Sequence, residues 1–320
     1  MAEDKDTRIS LGISSCLLGN KVRYDGGHKK DPFLMDTLGR YVRYVPVCPE
    51  MECGMPAPRE PMRLEGEVGA PRLITHTSKR DLTDSMRRWG ESRLAELESL
   101  GLCGYIFKTK SPSCGMARIK VFTTKDNPSP RGVGIWARMF MDRFPLLPVE
   151  DESRLHDPGL RENFIERIFV FKRWRETVAA SPSLAALLEF HTRHKLILMA
   201  HSPELYRKTG KLVAEAKGRG WKTLEQEYLG LLGRALALPS TVKKNANVLH
   251  HIQGYFKKQL SPDEKQELLG LIGSYAGGYI PLVVPATLLN HYVRKYGQAY
   301  LAEQYYLNPH PLELKLRNHT

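Results

Sequence analysis

Apolar positions in the first half of the chain come in short continuous runs, the pattern of strands buried on both faces. RISLGISSC (8–16) predicts a strand ending at Cys16. YVRYVPVCPE (41–50) predicts a second, with Val42, Val45 and Val47 as β-branched positions, ending at Cys48. GYIFKTK (104–110) predicts a third that runs into the turn carrying Cys114. Between the second and third, SKRDLTDSMRRWGESRLAELESLG (78–101) sets Leu82, Met86, Trp89, Leu94, Leu97 and Leu100 near helical spacing, with Gly101 as its stop. GVGIWARMFMDRFP (132–145) predicts a further helix, and LLPVEDE a further short strand. Strand–helix–strand order implies an α/β domain with a parallel sheet. In such sheets ligands bind beyond the C-terminal strand ends, and Cys16, Cys48 and Cys114 each fall at or just past one.

From about residue 160 the period changes to that of helices. LRENFIERIFVFKRWRETVAA (160–180) is amphipathic, and SPSLAALLEFHTRHKLILMA follows, with the Ser181/Ser183 region as N-cap and Pro182 in the first turn. SPEL at 202 opens another helix, and SPDE at 261 reads as a capping box between Ser261 and Glu264. The expected organisation is an N-terminal parallel-sheet α/β domain, 1–155, followed by a C-terminal all-α helical domain, 160–320. No repeat or low-complexity segment is present.

Composition narrows the class. The 320 residues are 42% hydrophobic and 26% charged, ordinary globular material. No apolar run is long enough to span a membrane, and MAEDKDTR is not a signal peptide. A cytoplasmic protein is expected. The net charge is +13 and uneven: residues 1–155 hold 25 Lys/Arg against 21 Asp/Glu, residues 156–320 hold 23 against 14. The second half therefore invites a polyanion such as nucleic acid, although a solvated basic surface has the same composition. Lys195, Arg207, Lys208, Lys211, Lys217, Arg219, Lys222, Lys243, Lys244, Lys257 and Lys258 recur there among Tyr206, Trp221, Tyr228, Tyr255 and Phe256. His191, His194 and His201 lie near one helix face, where packing outweighs metal binding because no carboxylate stands at ligand spacing.

All five cysteines precede residue 115. In a reducing compartment such clustering reads as metal binding or catalysis rather than disulfides. KTKSPSCGMAR (108–118) surrounds Cys114 with turn residues and with Lys108, Lys110 and Arg118, so backbone N–H groups and cations favour a thiolate. No CxxC pair exists, which excludes a zinc ribbon, and the spacing fits no ferredoxin run. Three separated thiolates meeting at one sheet edge suit zinc, copper(I) or an iron–sulfur cluster. Buried cysteines plus one catalytic thiol fit the same spacing.

SSCLLGNKVRYDGG (14–27), CPEMECGMPAPREP (48–61) and SPSCG (111–115) resemble, in that order, the motifs of the thiouracil desulfidase (TudS) family, over most of residues 8–150. FHTRHKLILMAHSPELYRKTG (190–210), KKNANVLHHIQGYFKK (243–258) and YLNPHPLELKLRNH (306–319) extend the resemblance to the two-domain, RudS-type form, in which a YbgA-like helical domain follows. That form acts on 4-thiouridine in transfer RNA. The resemblance implies a [4Fe-4S] cluster on Cys16, Cys48 and Cys114 with one iron open to substrate, Glu50 as catalytic acid/base, and Ser113, rather than Ser111, as its catalytic neighbour. Ser111, Asp25, Arg23, Lys108 and Arg59 are candidate substrate contacts. Asp25 also suits a turn cap, and Arg59 a loop brace. An open iron takes the thiocarbonyl sulfur, Glu50 activates water, and no net redox change is needed. The tRNA partner is assigned to the basic C-terminal domain. A desulfidase of free 2-thiouracil or thionucleosides, and a non-catalytic iron–sulfur RNA-binding sensor, are the competing readings. The chain departs from the family at Cys53, where glycine is usual; a free, partly exposed thiol is expected there. Cys103 is expected in the core.

Overall fold

The structure, a computed structural model, describes residues 8–123 and 128–319. They fall into two compact units, residues 1–157 and 158–320.

The first unit contains, in chain order, β1 (Ile9–Ser14), β2 (Val42–Val47), the short α1 (Pro49–Glu52), β3 (Met62–Gly66), β4 (Pro71–Thr75), α2 (Thr83–Ser99), β5 (Tyr105–Phe107), β6 (Ile119–Phe122), β7 (Ser129–Gly132), α3 (Ile135–Arg143) and β8 (Val149–Asp151). Strands β2-β1-β5-β8 form one sheet in which every pairing is parallel. The apolar runs of the sequence reading are these four strands. A second, mixed sheet of order β4-β3-β6-β7 was not expected. Its strands carry few inward apolar residues each, Leu64 on β3 and Ile119 with Val121 on β6, so they read as loop.

The parallel sheet is packed by aromatic rings. Tyr105 and Phe107 of β5 lie with Trp136 and Phe140 of α3, all fully buried, and Trp136 Nε1 donates to the Tyr105 hydroxyl at 3.2 Å. Such rings bring large buried area and directional contact together. Gly12 of β1 makes room for them, because a Cβ there would lie 2.3 Å from the Tyr105 ring.

The helical unit contains α4 (Pro158–Trp174), continued by a π-helical turn over Arg175–Ala179, then α5 (Leu184–His201), α6 (Pro203–Ala214), α7 (Trp221–Ala237), α8 (Val242–Tyr255), α9 (Pro262–Ala276), α10 (Val283–Lys295) and α11 (Ala299–Ala302). Its caps follow local chemistry. Ser183, Ser202 and Ser261 each accept a backbone N–H of their own first turn, and Ser261 with Glu264 forms the expected capping box. Pro182 precedes the Ser183 cap instead of occupying the first turn. Helix α5 is buried around most of its circumference and runs through the core of the unit.

The histidines of α5 are packing groups. His191 Nδ1 meets the Tyr228 hydroxyl at 3.1 Å, and His194 Nδ1 meets the Phe190 carbonyl at 2.7 Å. His201 sits between the Leu238 carbonyl and Glu166, each at 2.6 Å. A carboxylate thus does reach His201, from α4 rather than from helical spacing. Tyr228 and Phe256 are core residues, which removes them as exposed stacking platforms. No helix among the described residues is long and apolar enough to cross a membrane.

Candidate active site

The parallel sheet delivers the cysteines to one edge. Ser14 pairs with Val47 in register, so β1 and β2 end side by side. Cys16 follows in a 3-10 turn (Ser15–Leu18), and Cys48 is the N-cap of α1. The exit from β5 is tied to the same edge by the Lys108 N–H, which donates to Ser14 Oγ at 2.9 Å. The Cys114 loop is clasped to the start of α3: Gly134 N–H donates to the Gly115 carbonyl (2.8 Å), Ile135 N–H to Pro112 (3.2 Å) and Ala137 N–H to Ser113 (3.1 Å). These are first-turn donors that a helix cannot satisfy internally. Gly134 permits the clasp, since a Cβ there would lie 2.4 Å from the Ser113 carbonyl oxygen.

The three loops enclose a cavity of about 350 Å³ lined by Cys16, Cys48, Cys114 and Glu50, with Arg23, Arg59, Lys108 and Ser111 also on its wall. Ser113 is fully buried and stands behind Glu50. Its hydroxyl donates to Glu50 Oε1 and lies 3.8 Å from Cys114 Sγ and 2.9 Å from Ser111 Oγ. Ser111 Oγ accepts the Cys114 N–H at 3.0 Å, which shapes the turn. Arg59 Nη2 holds Glu50 Oε2 and the Val22 carbonyl (2.9 Å), while Nη1 holds the Pro56 carbonyl (3.1 Å). Arg59 is therefore both a wall residue and a loop brace.

Two candidate cations are already engaged. Lys108 pairs with Glu152 just beyond β8, and Arg23 pairs with Asp25 at 3.3 Å. Asp25 is exposed and outside the cavity; its Oδ1 accepts the Gly27 N–H at 3.0 Å in an Asx turn. The sequence reading passed over Ser14, Tyr24, Lys29 and Thr109, which line the same cavity, and named Lys110, also on its wall, only as a cation beside Cys114. Their signal was adjacency to the three cysteine-bearing stretches.

Burial sets the thiol electrostatics. It pushes Cys16 up to about 11 against the opposing pull of Lys108. Cys114 is pushed up to about 12 by burial and then by the charges of Cys48 and Cys16. Cys48 is also raised, chiefly by burial. The expected thiolate is thus not favoured by loop and cations alone: desolvation outweighs them. Among the described residues no three His, Cys, Asp or Glu side chains are gathered to hold a single metal ion. All three cysteines nonetheless line the one cavity, and thiolates are soft donors of the kind that zinc, copper(I) and iron–sulfur clusters take.

Cys53 faces a different cavity, on the far side of Arg59, and its Sγ lies 3.4 Å from the Glu50 carbonyl oxygen. It is half-buried and free, with burial pushing its thiol up to about 11. Cys103 is buried.

Comparison with known proteins matches this division. Residues 11–152 match the 2-thiouracil desulfurase family, and residues 195–311 match a family described as protein of unknown function (DUF1722). YbgA of Escherichia coli (strain K12) is 35% identical over 155 residues, 48% of this chain and 90% of the relative. YbbK of Bacillus subtilis (strain 168) is 32% identical over 108 residues, 32% of this chain and 71% of the relative. A solved structure, the [4Fe-4S]-dependent thiouracil desulfidase TudS, is 31% identical, with 48% of this chain and 97% of that one covered, at a TM-score of 0.40.

Proposed function

The chain belongs to the family of Escherichia coli YbgA and carries a 2-thiouracil desulfurase domain over residues 11–152, and on that footing we propose that it removes sulfur from 4-thiouridine in transfer RNA. One observation carries the reading: three thiols and a carboxylate gripped at both oxygens share a cavity with room for one pyrimidine base. The donor set fits a [4Fe-4S] cluster in kind, because three cysteines, each a soft sulfur ligand, line the one cavity. Bound by Cys16, Cys48 and Cys114, such a cluster supplies a Lewis acid for the thiocarbonyl sulfur.

The chain's own residues do the rest. Glu50 takes a proton from the attacking water and returns one as the tetrahedral carbon collapses. A carbon–oxygen bond forms, the carbon–sulfur bond breaks, and sulfide leaves with no electron transferred. Arg59 and Ser113 fix the carboxylate, one at each oxygen, at the wall of the cavity. Ser111, on the wall, can reach the base edge or the water. Lys29 and Lys110 add positive charge to the cavity wall, which favours an anionic strand.

The basic second half supports a transfer RNA substrate. Lys208, Lys211 and Arg219 are offset by Glu204, Glu215 and Glu227, and Lys244 points to the His201 and Pro239 carbonyls. The attraction therefore belongs to the surface as a whole.

The test is anaerobic reconstitution of the full chain, assay of iron and acid-labile sulfide, then turnover of 4-thiouridine-containing tRNA beside free 2-thiouracil. Faster kcat/KM on tRNA is expected. Turnover of 2-thiouracil alone favours the free-base reading, and RNA binding without turnover favours a sensor.

A further inference from the structure

A second cavity, of about 440 Å³, opens beside the first. Lys110 and Pro112 line both, so the two are neighbours across the strand of loop leading to Cys114. Its other polar walls are Arg63, Arg118 and Lys120. Four cations around one cavity repel one another, and the register makes this acute. Leu64 pairs with Val121, which sets Arg63 of β3 beside Lys120 of β6 on the same sheet face. Among the described residues only Arg63 is compensated, by Glu65 at 2.6 Å and by the Phe122 ring at 4.6 Å. Among the described residues none of Lys110, Arg118 and Lys120 has an ion-pair partner.

Lys110 and Arg118 also bracket the Cys114 loop in the left-handed region, at φ 57° and 56°. Residues with a Cβ avoid that region unless the surroundings impose it, and glycine or asparagine is the ordinary occupant. Here two long cations occupy it, one at each end of the loop, and both line the second cavity.

We infer that this cavity binds a phosphodiester of the RNA strand flanking the base held in the first cavity. The inference rests on the proposed reading of the first site as one that takes a thiolated base. It extends that reading by placing an RNA contact in the α/β unit itself. A base delivered without its strand leaves Lys110, Arg118 and Lys120 unneutralised. A base delivered within a strand brings the anion they lack. The second cavity therefore distinguishes polynucleotide from free base at the site of reaction.

The experiment uses the reconstituted full chain with Arg118→Asn and Lys120→Gln combined; asparagine tolerates the left-handed backbone. Neither residue lines the first cavity. Three substrates are compared: 4-thiouridine nucleoside, its 5′-monophosphate and 4-thiouridine-containing tRNA. The nucleoside should turn over as in the parent, which also shows that the variant folds. On tRNA, KM should rise about tenfold, and a charge-retaining Arg118→Lys, Lys120→Arg variant should restore it. An equal rise with the monophosphate assigns the site to any nucleotide phosphate and overturns the strand-specific form. A second readout needs no catalysis: binding of unmodified tRNA against salt, where loss of that one phosphate contact lowers the slope of log K on log salt by about 0.7. An unchanged slope together with unchanged KM on tRNA overturns the inference. A lowered slope in a chain that desulfurates nothing upholds the phosphate site while overturning the proposed reaction.

Discussion

The Ser113 hydroxyl donates to Oε1 of Glu50, while Cys114, the next residue, turns its thiol into the cavity that Glu50 faces. One loop therefore carries a candidate cluster ligand and the group that aims the candidate base. Ser113→Ala removes a hydrogen bond to a carboxylate, worth about 1.5 kcal/mol or more. The expected outcome is a kcat on the thiolated substrate lowered roughly tenfold, with KM and iron content unchanged. An unaltered kcat shows that Arg59 alone orients Glu50.

Glu50→Gln keeps the shape of the side chain and removes its basicity. A general acid/base contributes about 10² to 10⁴ in rate, and a loss in that range is expected from steady-state assays. Iron and sulfide content should match the parent, because Glu50 is no ligand in the proposed arrangement. Retained turnover assigns the proton transfers elsewhere.

The cysteines divide into two groups by cavity. Alanine at Cys16, Cys48 or Cys114 should each abolish the visible absorption of the reconstituted protein and most of its iron. Cys53→Ser should leave both intact, since Cys53 lies beyond Arg59. Cys103→Ser should leave the absorption intact while lowering thermal stability, because a hydroxyl replaces a buried thiol. Iron loss in Cys53→Ser contradicts the three-cysteine set.

Gly134→Ala places a methyl 2.4 Å from the Ser113 carbonyl oxygen and 2.9 Å from the Gly115 nitrogen. Backbone cannot yield as a flexible side chain does, so a cost of about 1–3 kcal/mol is expected, read as a lower Tm. The displaced loop should also retain iron poorly. A parent-like Tm shows that α3 shifts freely.

The helical unit should lose stability as pH falls below neutrality. Burial lowers His194 to about 3, with Arg173 adding to it. Burial likewise lowers His191 to about 4, helped by Lys195, and His310 to about 4, helped by Arg317. Each folded value lies below the ordinary 6.5, so the neutral form is favoured in the fold. Their stabilisation is present above pH 6.5 and is lost as pH drops toward 4. Depressed carboxylates such as Glu166, which burial raises but His201 and Arg317 together bring to about 2, act only below pH 4.5. Urea denaturation followed by far-UV circular dichroism between pH 6.5 and 4.5 should show a falling ΔG, approaching 1.36 kcal/mol per pH unit for each histidine. A flat profile contradicts the assignment.

Legibility followed range along the chain. Strands β1, β2 and β5 were readable because an apolar run ending in a cysteine is a local signal. The caps at Ser183, Ser202 and Ser261 were readable for the same reason. The second sheet was not: MRLEG and PRLIT alternate, but each is too short to stand out from loop. The grip on Glu50 joins residues 63 positions apart, and Lys108 meets Glu152 44 positions away. No spacing rule reaches such distances. Asp25 was legible as a turn cap from RYDGG itself, and its side chain accepts the Gly27 N–H two residues on.

The pairing of Lys108 with Glu152, next to the closing strand of the parallel sheet, has a consequence for biosynthesis. Cys16 is made long before Glu152, yet the edge that gathers it with Cys48 and Cys114 is complete only after residue 152 is made. At about 5–20 residues per second that interval is on the order of 10 s. For that time the nascent thiols are exposed, and delivery of the proposed cluster would follow synthesis of the whole first unit rather than accompany it.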